Sequence, residues 1–390
     1  MSSVKVIIGG DLLPSTKNIG QFEEGNLDIL LGKKLQNYLK NADIRVFNLE
    51  GPITNANTRI KKDAPNLRAS PSCLNGIRLI NPTVLSLANN HIRDYGEKGI
   101  LDTLDFLSAE GIATVGCGDL KSAQEPYVIS HNDIKIAIVS VAEHEFSFAS
   151  ESELGANPFD IQKCCATIAS VRNKVDYIIV LFHGGKEKYR YPTPIEMKNL
   201  HSICLARPDL IIAQHSHCVG CFEKFGNTTI VYGQGNFHFC REKNEFYDTA
   251  LLCEIEISKD NTVSSSNITW TPIEMVGNDS VKLSNSDSAK DILLGFQLRS
   301  NNIKKPEFVK NEYRKYCVFL RYNFEKQLLG RGIDGLIYRL LSKLSLKVAH
   351  KFFLCIYRED IPGLLNSYRC ETHQEIMIQI LKDCYDEMIL

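Results

Sequence analysis

The sequence predicts a layered α/β fold followed by a helical appendage. Short apolar segments alternate with helix-period segments from Val4 to about Trp270. Many of those segments are apolar throughout rather than at every second residue, as a sheet covered on both faces requires. Beyond a polar stretch near residue 280 the chain turns helical and basic.

The elements follow in order. Val4–Ile8 is the first strand and runs into Gly9-Gly10-Asp11. Ile44–Asn48 is the second and runs into Leu49-Glu50; Val84–Ala88 is the third and runs into Asn89-Asn90-His91. Ile134–Ala142 ends near Glu143-His144-Glu145, Tyr177–Phe182 ends in His183-Gly184-Gly185, and Leu210–Ala213 ends in Gln214-His215-Ser216-His217. Helices are expected over Gly96–Glu110, Asp160–Asn173 and Glu196–Ala206; the first carries Ile100, Leu101, Leu104 and Leu107 at helical spacing. Ile230–Tyr232, Thr249–Ile257 and Ile268–Trp270 read as antiparallel strands completing a sandwich. The Ser-, Asn- and Asp-rich stretch 276–288 reads as a linker between a domain at 1–275 and a helical region at 289–390. In that region Ile333, Leu336, Ile337, Leu340, Leu341 and Leu344 follow an amphipathic period. Between Arg299 and Lys351, 13 Lys and Arg face 4 acids, so this part suits an anionic membrane surface or acidic polymer as well as plain solvent.

Composition narrows the function classes. Hydrophobic residues make up 44% of the 390, enough for a sizeable core, which excludes disorder as the dominant state. The formal net charge of −1 argues against a bulk nucleic-acid binder. Val4–Ile8 is too short for the core of a signal peptide, and no stretch approaches the ~20 apolar residues of a membrane helix. The expectation is a cytoplasmic protein, peripheral to the membrane at most. The 13 cysteines are odd in number and lack an export signal, so reduced thiols are expected. Cys218-x-x-Cys221 has no second pair to complete a zinc knuckle.

The chemistry is concentrated where the strands end. Asp11, Glu50, Asn90, His91, His183, His215 and His217 all fall at the C-terminal ends of expected strands, the edge at which layered α/β folds bind ligands. Hard divalent cations take carboxylate oxygen, and borderline ones accept imidazole nitrogen. Two such ions need a shared carboxylate and several neutral donors. Glu50 can bridge, and the others can fill outer positions. This donor supply suits manganese, iron or zinc better than magnesium.

Gly10-Asp11, Asn48-Leu49-Glu50-Gly51-Pro52, Asn89-Asn90-His91, His183-Gly184-Gly185, His215-Ser216-His217 and Gly235-Asn236-Phe237 together resemble the motifs of the CapA family. That family is tied to bacterial capsule and poly-γ-glutamate synthesis and is similar in fold to calcineurin-like metallophosphoesterases. Asp94-Tyr95-Gly96, Gly99-x-x-x-Thr103 and Gly116-Cys117-Gly118 extend the resemblance, which spans about Val4 to Phe239. It implies a calcineurin-like metallophosphatase sandwich and a dinuclear site. Asp11 and His217 would hold the first metal, Glu50 would bridge, and Asn90, His183 and His215 would hold the second. His91 would protonate the leaving oxygen. Lys62, Asn66 and Arg68 match the family's K-x-x-P-N-x-R-A stretch, and with Glu187 they are expected on the substrate.

The departures are specific. Leu13 stands where the superfamily's Asp-x-His places histidine, and Glu50 replaces the usual Asp, which implies a metal short of ligands. The family's His-Trp-Gly-x-Glu-Tyr reads His183-Gly184-Gly185-Lys186-Glu187-Lys188, with Tyr189 or Tyr191 as substitutes for the missing ring. Its Gly-His-His-Pro-His reads Ala213-Gln214-His215-Ser216-His217. Three functions follow as expectations: a phosphoesterase, an amide hydrolase on an acidic polymer, and a non-catalytic accessory of capsule assembly that docks partner proteins or membrane through the basic helices.

Overall fold

The computed structural model describes residues 2–62, 64–239, 244–260, 263–277, 279–328 and 332–357. The chain divides into two compact units, Met1–Lys310 and Asn311–Leu390.

In the first unit the strands are β1 (Ser2–Leu12), β2 (Ile44–Leu49), β3 (Val84–Ser86), β4 (Ala113–Val115) and β5 (Cys117–Gly118). Next come β6 (Tyr127–His131), β7 (Ile134–Ala142), β8 (Gly155–Ala156), β9 (Tyr177–His183) and β10 (Leu210–Gln214). The last are β11 (Val219–Phe225), β12 (Thr228–Gln234), β13 (Thr249–Asp260), β14 (Val263–Val276) and β15 (Ser280–Leu283). One sheet has the order β15-β14-β13-β1-β2-β3-β4 and a second the order β11-β12-β10-β9-β7-β6, while β5 and β8 pair alone.

Alternation along each strand sorts its side chains between two apolar layers. Val4, Val6 and Ile8 of β1 join Ile136, Ile138, Ile179, Leu181, Ile212 and Ile255 in a core drawn from both sheets. Ile7 and Phe47 point the other way, onto Leu35, Leu39 and Ile77 of the helices that cover the first sheet. Val180, Phe182 and Ile211 pack likewise on Ile168 and Leu200 outside the second. This is the expected helix-covered sandwich.

The strands that carry the polar ends run together. β1, β2, β3 and β4 are mutually parallel, as are β7, β9, β10 and β12, so their carboxyl ends share one rim. β1 carries a bulge there. Ile8 faces Val46 but Asp11 faces Asn48, so three steps on β1 match two on β2. The Gln214 amide donates to the Gly9 carbonyl (3.2 Å) and the Gln234 amide to the Ile8 carbonyl (3.1 Å). Gly10 is required beside the bulge, because a Cβ there would lie 1.9 Å from the Gly235 carbonyl oxygen.

Two expectations need correction. The 230–232 segment lies in β12, which is antiparallel to β11 but parallel to β10, so it extends the parallel array. The stretch 276–288 contains β15 and the start of the helix Ser286–Ile303, and the units divide at Lys310 instead. Its polar residues serve an edge strand and a helix cap: the Asn285 side chain accepts from the Asp287 and Ser288 amides. The second unit contains the helix Ile333–Leu344. Its inward side carries Tyr338, which joins Ala349 and Phe353 of the helix Leu346–Tyr357, while the Ile333–Leu344 stripe lies open. Within this unit Glu325 is buried and accepts from Tyr338 Oη (2.5 Å) beside His350 Nδ1 (2.5 Å).

The ten described cysteines are all unpaired thiols. Among the described residues no helix is long and apolar enough to cross a membrane. Part of the expected helical region, residues 358–390, lies outside the described residues.

Candidate metal centre

The parallel strand ends bring seven polar side chains into a buried cluster. Asp11 sits at the end of β1, Glu50 just past β2, and Asn90 and His91 in the turn after β3. His183 ends β9, and His215 and His217 follow β10. His215 and His217 adopt φ values of +80° and +56°, a left-handed conformation that non-glycine residues rarely take. Such strain persists where surrounding structure fixes it, and it gathers at functional sites.

Asn48 is the hub of the cluster. Its amide nitrogen lies 2.8 Å from Asp11 Oδ1, 2.5 Å from Glu50 Oε2 and 3.5 Å from His183 Nδ1. Asp11 Oδ2 is 3.0 Å from His217 Nδ1, which also meets Asn236 Oδ1 at 2.8 Å. His183 Nε2 faces Asn90 Oδ1 at 3.1 Å and His215 Nδ1 at 3.2 Å. Asn90 is oriented by donating to Glu145 Oε2 (2.7 Å).

Burial disfavours charge on Glu50, but the imidazoles of His183, His91 and His217 outweigh it and hold the carboxyl well below its usual range. Burial likewise lowers His217, yet the Asp11 hydrogen bond and the charges of Asp11 and Glu50 raise it to about 9. His215 has burial and its two imidazole neighbours working together, and falls well below the ordinary value.

These residues fit divalent cations. The donor atoms of Asp11, Glu50 and His183 form one group with all members within 4.8 Å, and those of Glu50, His215 and His217 form another. Glu50 belongs to both, as a bridging carboxylate must. Its Oε1 is buried without a hydrogen-bond partner, 3.4 Å from His183 Nε2, which is costly in a protein interior unless a cation completes the site. The grouping puts His183 with Asp11, whereas the motif resemblance implies His183 beside His215.

His91 lies at the margin of the cluster. Its Nδ1 is 2.7 Å from Asp94 Oδ2 and 3.1 Å from Lys62 Nζ, and Lys62 also forms an ion pair with Asp94. The Lys62 side chain is fully buried, so it faces His91 rather than open solvent. Asn66 spends its amide hydrogens on the carbonyls of Ile60 (3.2 Å) and Asp94 (3.1 Å). Both therefore brace the loop, and Asn66 also lines the groove beside Arg68. Arg68 differs. It is exposed, stacks 4.8 Å from the Tyr95 ring, and lines a groove of about 330 Å³ with Leu13, Lys17, Leu67 and Phe239. Phe239 also packs 5.5 Å from the His217 ring, so the groove adjoins the cluster. Glu187 is half-buried and contributes to the field at His217.

The altered motifs have physical counterparts. Leu13 is buried in the core, and its side chain approaches the position a Gly51 Cβ would take, to 3.4 Å. A Cβ at Gly184 would lie 2.5 Å from the Phe182 ring and 2.6 Å from Glu143, so this backbone has no room for the family's ring there. His238 is structural, with Nδ1 on Asn18 (3.1 Å) and Nε2 on the Leu30 carbonyl (3.2 Å).

The family model described as bacterial capsule synthesis protein PGA_cap matches residues 5–240. The chain belongs to this family. The match includes every candidate ligand of the centre and excludes the second unit. The capsule biosynthesis protein CapA of Bacillus anthracis is 26% identical over 225 residues, covering 55% of each chain. The PGA biosynthesis protein CapA of Bacillus subtilis (strain 168) is 27% identical over 228 residues, covering 57% of this chain and 59% of its own. The chain thus spans little more than half the length of these curated PGA_cap relatives. Among solved structures, a candidate 5'-nucleotidase from Staphylococcus aureus in complex with alpha-ketoglutarate aligns with a TM-score of 0.46 at 14% identity, covering 76% of this chain and 58% of that one.

Proposed function

We propose that this PGA_cap chain is a metal-dependent hydrolase of phosphate esters that serves surface-polymer synthesis. The observation that carries the reading is the buried cluster of two carboxylates and three imidazoles around Glu50, whose Oε1 lies 3.4 Å from His183 Nε2 without a hydrogen bond. Asp11, Glu50, Asn90, His183, His215 and His217 would hold two divalent ions, with manganese, iron or zinc suited to the mixed oxygen and nitrogen donors. Such ions, when bound, supply an activated water and offset charge on phosphoryl oxygens. His91 donates a proton to the leaving oxygen through Nε2, since Nδ1 is engaged by Asp94 and Lys62. Asp94 and Lys62 are positioning residues for that ring. Arg68 and Lys17, on the groove beside His217, bind an anionic portion of the substrate.

A second reading has its own support. Leu13 is buried hydrocarbon at the position where the superfamily has a histidine ligand, which favours a non-catalytic accessory that docks capsule-assembly proteins.

The test uses the full chain, with bound metal counted by elemental analysis. Aryl phosphate mono- and diesters and poly-γ-glutamate are offered with manganese or with chelator, beside His91→Ala. Manganese-dependent ester turnover that falls about 10²–10⁴-fold in His91→Ala supports the phosphoesterase. Cleavage of the polymer alone transfers the reading to amide hydrolysis. Bound metal without turnover favours the accessory role, and a chain that takes up no metal overturns the hydrolase.

A further inference from the structure

The second unit exposes an apolar stripe with a basic border. On the helix Ile333–Leu344, Ile333 (76% exposed), Leu336, Ile337, Leu340 (63%) and Leu344 (83%) recur at i, i+3, i+4, i+7 and i+11, which is one helix face. Leu346 and Val348 continue exposed at the start of the next helix. On the other side of the helix Tyr338 packs with Ala349 and Phe353, and the partly buried Leu341 joins them. Arg339 and Lys343 follow one edge of the stripe, and exposed Lys347 and Lys351 lie on the second helix. Asp334 is the single acid among the described residues of these two helices.

We propose that this face docks on an anionic lipid surface, with the leucines in the acyl boundary and the lysines at the headgroups. Charge selects this occupant. An antiparallel two-fold contact with a second copy would set the same basic edge against itself, and like charges across an interface oppose association. A lipid surface of opposite sign satisfies the rim and the stripe together. The proposal is independent of the catalytic reading, because none of these residues belongs to the metal centre.

The experiment is flotation of the full chain with vesicles of phosphatidylcholine alone or in equimolar mixture with phosphatidylglycerol. The native chain floats with the mixed vesicles and not with the neutral ones. The pair Leu340→Gln and Leu344→Gln weakens binding by about tenfold or more, with unchanged helix content by circular dichroism. Lys343→Gln with Lys347→Gln weakens it about 25-fold at low salt, at roughly a fivefold loss per lysine. Absence of flotation, equal flotation on neutral vesicles, or native-like binding by both variants overturns the proposal. So does light scattering that shows a dimer dissolved by the leucine changes, which would assign the face to a second copy. Binding that emerges only after residues 358–390 are removed would assign it to the chain's own end, which carries 7 acids against 3 bases.

Discussion

The two units reverse the usual sorting of side chains in opposite ways. In Met1–Lys310, carboxylates, imidazoles and an ammonium are buried at one rim of a sandwich whose apolar layers are otherwise well sorted. Among the described residues of Asn311–Leu390, one carboxylate is buried, and large aliphatic side chains stand in the open. Burying charge costs free energy unless partners or a metal return it, and exposing a contiguous apolar stripe costs it unless something covers the stripe. Each unit therefore points to a ligand of a different class. The first points to cations held by a preformed pocket, the second to an extended apolar surface.

The comparison is broken most severely at Glu50. Glu50→Gln keeps the shape but leaves His183 and His217 without their shared counter-charge, and should destabilise the metal-free protein by about 3–5 kcal/mol. Denaturant unfolding in chelator measures it. A loss below about 1 kcal/mol would mean that the cluster does not depend on its bridging carboxylate.

Glu196 gives the next effect, and its sign is set by pH. Its carboxyl caps the helix Pro194–Ile203 by accepting from the Thr193 amide (3.2 Å). Burial pushes it up to about 8, against the Thr193 hydrogen bond and aided by Glu143. A carboxyl raised above its unfolded value stays protonated in the folded chain. Its contribution is full below about pH 4.3 and is lost as pH rises through the folded value. The melting temperature of the first unit should therefore fall between about pH 5 and pH 8. Glu196→Gln, which retains the capping acceptor, should flatten that fall. Parallel pH profiles for the two proteins would remove Glu196 as its cause.

Tyr338→Phe tests the second unit's own buried polar contact. Glu325 loses its hydroxyl donor, at an expected cost of about 1–3 kcal/mol, confined to this unit. Hydrogen exchange should accelerate in 332–357 and stay unchanged in the sheets, and acceleration in both would deny the units their separate cores. The smallest effect belongs to the stripe. Leu344→Gln should change stability by less than about 0.5 kcal/mol, because its side chain contributes little to packing. A larger loss would show that Leu344 is covered after all.

Much of the centre was legible because parallel strands put their last residues on one rim. Asp11, Glu50, His183, His215 and His217 could be picked out as polar groups ending apolar runs. Their partners were harder to read. Asn48, Asp94 and Asn236 sit inside motifs visible in the sequence, yet what each one touches depends on strands far away in the chain. For Asp94 a local signal existed, since it follows His91 by three residues in a turn. The surroundings of Lys62 were hidden for a related reason. The K-x-x-P-N-x-R-A match marks Lys62 without saying what it touches, and only the folded loop reveals its burial against Asp94. Glu145 carried no signal beyond its place after a strand. In the helical unit the period of Ile333–Leu344 was plain, but periodicity identifies an apolar face without saying what covers it.

The bulge in β1 makes the centre sensitive to chain length as well as to residue identity. Removing one residue near Gly9 and Gly10 would let β1 and β2 pair without interruption, and the hydrophobic layers could close almost as before. Asp11 would still face Asn48, because two steps on β1 would then match the two on β2. The carbonyls of Ile8 and Gly9 would lose their two glutamine donors in the same event. Substitutions at this rim can be graded by chemistry, but a one-residue deletion changes the backbone pairing. It leaves Asp11 beside Asn48 and acts on the ties that Gln214 and Gln234 make to β1.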